Sequence, residues 1–273
     1  MRKTLQEVKA IVYRELRLWL RYPTWIFTFL AFPYVISGLF YLIGLAIGGK
    51  SAITNFQVRT GSENVMLYNL IGSGVLLIAI LVVEDVGQTI RREQLLGTLE
   101  AVFVTPAKRT VLLYAAPIPH VLIASLMFLG SVSPAVFVTT KVNPLDMVLA
   151  LFFLLIGLIP LVGLGFIVAS LVVKFKEPWP LVGVLNSLIS SVSGVAYPLT
   201  LLPKWLRIVS YAFPTSHAIT LIREALIYHS SLANYWLNLS ILSFMFALYP
   251  LAGYLLYKRF EREAMKSGGF ATH

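Results

Sequence analysis

Six stretches without a single Asp, Glu, Lys or Arg constrain this chain more than any other feature: residues 22–49, 64–83, 110–140, 147–173, 178–203 and 225–257. The hydrocarbon core of a bilayer is about 30 Å thick, and a helix crosses it in roughly 20 residues. Each stretch is long enough for one crossing. The composition leaves little alternative. Of the 273 residues, 58% are hydrophobic and 12% charged, against about 25% charged in an ordinary soluble domain. So few polar side chains cannot cover the surface of a water-soluble core of this size. The apolar residues must face lipid as well as each other.

The charges between the runs orient the chain. With six helices and the N-terminus inside, the cytoplasmic segments hold sixteen of the 22 basic residues and the external segments six: Lys50, Arg59, Lys141, Lys204, Arg207 and Arg223. The positive-inside rule requires this asymmetry. The expected spans are 24–48, 64–85, 110–138, 147–173, 178–197 and 234–257, with both termini in the cytoplasm. The fold class expected is an all-α integral membrane protein. The net charge of +10 sits beside apolar runs, where anionic headgroups and orientation account for it. Membrane lipids, and not nucleic acid, are the expected partners.

Two further helices are written outside the spans. In residues 1–22, Leu5, Val8, Val12, Leu16 and Trp19 recur at helical spacing, while Lys3, Glu7, Arg14, Arg17 and Arg21 lie largely on other faces. This pattern suits an amphipathic helix in the inner interface; a short solvated basic tail is the plainer alternative. In residues 93–104, Leu95, Leu99, Val102 and Phe103 form an apolar stripe between Arg91-Arg92 and Lys108-Arg109, and Thr105-Pro106 stops the helix. Such a helix floats on the membrane surface or docks in a partner's groove.

The string RREQLLGTLEAVFVTPAKR decides between these readings by resemblance. Arg92-Glu93, Gly97-Thr98-Leu99-Glu100 and Thr105-Pro106 match the signature of type-2 ABC transporter permeases. The start RELRLWLRYPTWIFTFLAFP is similar to the family's interfacial helix and first span. The segment 194–226 is similar to its external segment, with Pro198, Pro203, Trp205, Pro214 and Arg223 in the corresponding places. The resemblance implies that 93–104 is a coupling helix fitting a cleft on a separate ATPase subunit, with Arg92, Glu93, Leu95, Gly97, Thr98, Leu99, Glu100, Thr105 and Pro106 as its contacts. It implies that 198–226 is an external re-entrant segment gating the pathway. Locally, Leu202, Trp205 and Leu206 beside Lys204 and Arg207 suggest a short amphipathic piece at the outer interface, and an ordered loop is the plain alternative. The implied function is the permease subunit of an ATP-driven exporter in the plasma membrane, paired with a second, identical permease and needing no cofactor of its own.

Other chemistry has little support. Residues 44–51, GLAIGGKS, match a P-loop. The pattern needs a strand before it and a helix after it in an α/β sheet, whereas here the glycines end a bilayer-length run. Close packing or a turn explains Gly44, Gly48 and Gly49 better. There are no cysteines, and His120, His217, His229 and His273 show no zinc-ligand spacing. Serines 187, 190, 191 and 193 suit packing or a pathway lining. No Asp or Glu stands at mid-membrane, where ion-driven transporters place them. His120 is the one ionisable residue well inside an expected span: either a functional group or a wet residue near the inner helix end. Glu84-Asp85 is the only adjacent acidic pair outside the tail, too little for a lipid transferase. A passive channel or scramblase would have no use for the helix at 93–104.

Overall fold

A computed structural model describes residues 2–21, 24–89, 115, 117–139, 143–175, 179–229 and 232–266. Among these residues every regular element is helical: α1 (Arg2–Arg21), α2 (Thr24–Thr60), α3 (Val65–Gly87), α4 (Pro117–Thr139), α5 (Pro144–Phe175), α6 (Trp179–Val192), a 3₁₀ turn (Leu199–Leu201), α7 (Lys204–Tyr211), α8 (Pro214–Leu226) and α9 (Leu232–Lys266). Five of them, α2, α3, α4, α5 and α9, are long and apolar enough to cross a membrane. Their outward faces carry large apolar side chains such as Phe27, Leu126, Phe137, Phe244 and Leu251. In water this surface would be a liability; in lipid it is the solvated face.

The fifth expected span, 178–197, meets a shorter element. Helix α6 has 14 residues, about 21 Å at 1.5 Å per residue, less than the hydrocarbon thickness. It stops because Gly194 takes a left-handed conformation (φ 71°), open to glycine at little cost. The first span also departs from expectation. Helix α2 continues through residues expected to be a loop and breaks only at Gly49 (φ 57°, ψ −152°). The P-loop lookalike therefore lies within a helix, with its last glycine at the kink, and among the described residues no strand precedes it.

Helix α3 is the hub. It packs against α2, α4, α5, α6 and α8, and most of its side chains are buried. Asn64 caps its start, its Oδ1 accepting the Leu67 N–H at 3.0 Å, one of the donors a helix leaves unpaired. Hydroxyls tie α2 to it: Ser37 donates to the Met66 carbonyl (2.7 Å) and Ser73 to the Pro33 carbonyl (3.0 Å). Helices α5 and α9 approach each other closely. A Cβ added at Gly163 would stand 2.4 Å from the Pro250 nitrogen, so the backbones touch where a side chain would hold them apart.

Candidate functional site

Two polar clusters occupy opposite ends of α3. At its N-terminal end, the chain between α6 and α8 folds back on the bundle around one side chain. Pro198 precedes the 3₁₀ turn, Pro203 precedes α7, and Pro214 is the first residue of α8. Each suits its place, since a proline lacks the N–H that a first helical turn leaves unpaired. Three prolines thus divide 198–214 into short rigid pieces. Trp205 projects outward on α7 and is mostly exposed.

Arg223, on α8, is buried. Its Nη1 donates to the Gly194 carbonyl (2.8 Å) and its Nη2 to Val195 (2.5 Å) and Tyr68 (3.0 Å). Nε also reaches the Tyr68 carbonyl, at 3.2 Å. The guanidinium carbon lies 3.4 Å from the Tyr68 ring centroid. A guanidinium has five N–H donors and no acceptor; three carbonyls take four of these donors, and the ring covers the guanidinium face. Arg207 does the same for the preceding turn, donating to the carbonyls of Leu199, Thr200 and Leu202. Its sequence position suggested only an amphipathic face.

Hydroxyls complete the packing here. Ser210 donates to the Val192 carbonyl (2.7 Å) and pairs with Ser216 (3.0 Å), and Ser193 pairs with Thr215 (2.5 Å). His217 bridges the Tyr211 carbonyl and the Asn238 side chain. Beyond α8, the Tyr228 hydroxyl donates to the Thr60 carbonyl at 2.5 Å. Burial pushes this phenol up to about 12, so it stays a protonated donor. A cavity of about 430 Å³ opens beside Arg59, Tyr68, Pro198, Thr220 and Tyr228. Of the residues suggested for an external gate, Arg223 and Pro198 line this cavity; Pro203, Trp205 and Pro214 do not.

At the C-terminal end of α3 stand Glu84 and Asp85. Glu84 accepts from the Asn186 amide of α6 at 2.7 Å. Asp85 meets His120 Nε2 at 3.1 Å. His120 is 4% exposed and lies edge-on to Trp19 of α1, with ring centroids 5.7 Å apart. It is not a solvent-wetted residue. Glu15 of α1 is buried nearby and paired with Arg14 at 2.7 Å. Sequence reasoning missed Glu15 and Asn186; no spacing pairs Asn186 with Glu84, 102 positions away. The suggested coupling residues, Arg92, Glu93, Leu95, Gly97, Thr98, Leu99, Glu100, Thr105 and Pro106, lie outside the described residues.

Residues 6–227 match the family model ABC2_membrane, described as ABC-2 type transporter. No curated protein matches the sequence.

Proposed function

Because the chain belongs to the ABC-2 type transporter family, whose model matches it over residues 6–227, and is a multi-pass permease of an ABC transporter, we propose that it is the membrane half of an exporter driven by a separate ATPase. In this reading two copies pair and α1–α9 of each form half of the pathway. The segment 93–104 docks on the ATPase and transmits its closure. Helix α6, with the chain as far as α8, makes the sixth crossing together with the external re-entrant segment. The termini then lie in the cytoplasm and the chain in the plasma membrane. The cargo class proposed is amphipathic: lipid-like, drug-like or glycan.

One observation carries the proposal. The matched span takes in both the string from Arg92 to Pro106 and the segment up to Arg223, the two regions an ATP-driven permease needs at opposite faces. Cytoplasmic drive also suits a chain whose expected spans hold no Asp or Glu at mid-membrane. The test is co-expression with a candidate ABC ATPase subunit from the same genome. Wild type should co-purify with the ATPase and stimulate its hydrolysis when reconstituted. Glu93→Ala and Leu99→Ala should weaken both. Unchanged complex formation and unchanged stimulation in both variants would remove the assigned drive.

A further inference from the structure

A second cavity, of about 390 Å³, lies at the C-terminal end of α3, walled by α1, α2, α3 and α4. Its size falls within the range of small-molecule sites, roughly 300–1,000 Å³. Its chemistry is unlike that of the cavity beside Arg223. Four aromatic side chains, Trp19, Trp25, Phe29 and Phe32, contribute to the wall. Trp25 and Phe29 are stacked, with centroids 5.8 Å apart and planes 19° apart. Trp19 is tilted against both, at 6.3 and 5.9 Å. Trp25 is 53% exposed, so the cage is open on that side.

The ionisable lining is acidic: Glu15, Glu84 and Asp85 against the single imidazole of His120. Glu15 is ion-paired with Arg14 and Asp85 faces His120. Glu84 is held by a neutral amide, that of Asn186, so this bond leaves its charge uncompensated. An anion entering here would meet three carboxylates. A metal ion would meet ring faces in place of a converging oxygen shell, and among the described residues no acid and histidine cluster suits one. A cation with an apolar body satisfies both halves of the wall. Its charge is attracted to the negative faces of the indole and phenyl rings and to the Glu84 carboxylate, while its body packs along Leu77 and Phe32.

We propose that this cavity is a binding site for a monovalent amphipathic organic cation, with the Trp19, Trp25 and Phe29 rings as its cage and Glu84 as its counter-ion. The proposal concerns binding by the chain itself and holds whether or not an ATPase is attached. The test compares two probes of one shape and opposite charge. The full-length chain, in non-ionic maltoside micelles, is titrated calorimetrically with tetraphenylphosphonium and with tetraphenylborate. Tetraphenylphosphonium should bind saturably, and tetraphenylborate should show only the non-saturable heat of micelle partitioning. Glu84→Gln keeps an acceptor for Asn186 and should weaken the cation by about tenfold, a loss on the scale of one desolvated charge contact. Trp25→Leu alters a half-exposed position and should weaken it severalfold in a chain that remains monodisperse. The proposal is overturned if wild type shows no saturable tetraphenylphosphonium binding, if tetraphenylborate binds the same site equally well, or if neither variant changes the affinity.

Discussion

Arg223 holds Tyr68 twice: its guanidinium lies over the Tyr68 ring at 3.4 Å and donates to the Tyr68 carbonyl at 3.0 Å. One side chain of α8 is thereby fixed to one residue of α3, and through Gly194 and Val195 to the end of α6. Replacing it by Met should cost about 3 kcal/mol or more, because charge-assisted bonds are lost and buried carbonyls are left unpaired. Arg223→Lys should recover only part of this, since an ammonium cannot reproduce the planar fork. Melting temperatures of the purified chain in detergent give the order wild type, Lys, Met. Equal values for all three would show that the contact adds nothing.

Close approach of α5 and α9 is tested at a glycine. Gly163→Ala places a Cβ 2.4 Å from the Pro250 nitrogen and should destabilise by about 1–3 kcal/mol, the usual cost of overpacking. Gly183→Ala, in α6, meets nothing within 4 Å and serves as the control; it should be neutral or slightly stabilising, because alanine favours helix. The comparison reads out as aggregation temperature in one detergent.

Tyr228 gives a pH signature. Its folded pKa of about 12 stands above the ordinary 10.0. The protonated phenol is thus favoured by folding, and this stability is complete below pH 10 and lost as the pH rises toward 12. Tyr228→Phe, which also loses the bond to Thr60, should be about 1 kcal/mol less stable at pH 8. The gap between the two melting temperatures should narrow from pH 9 to pH 11. A gap that widens would contradict the assigned direction.

The native chain contains no cysteine, so single cysteines report topology without background. Lys50→Cys should react with a membrane-impermeant maleimide in intact cells. Lys258→Cys should react only after permeabilisation. The reverse pattern would invert the proposed orientation.

An all-helical, multi-pass fold was legible in the sequence because lipid demands something that can be counted: charge-free length. What such counting cannot see is backbone conformation inside a run. The stretch 178–203 is uninterrupted by charge, yet the chain turns at Gly194, where the carbonyls of residues 194 and 195 face Arg223. Conversely, residues 50–60 are polar enough to read as a loop and are helical beyond the Gly49 kink. At the site, Arg223 was visible as part of a pattern, but its partners are main-chain oxygens, which no residue type announces. Glu84 and Asn186 meet across 102 positions; only the fold brings them together. Glu15 drew no reading from the sequence; its burial follows from the packing of α1 against the bundle, in contact with α4.

The arginine contacts have one more consequence. Arg207 and Arg223 reach seven hydrogen bonds between them, and every acceptor is a peptide carbonyl. Side chains at the acceptor positions, from Gly194 through Leu202, are therefore not what the arginines recognise. Apart from Gly194, whose φ demands glycine, and Val195, which is buried in the core, the acceptors Leu199, Thr200 and Leu202 can drift in size and polarity while the frame stays put. The segment is built like a vise that grips the rail and leaves the tool interchangeable: selection can retune the surface beside this cavity without rebuilding what holds it.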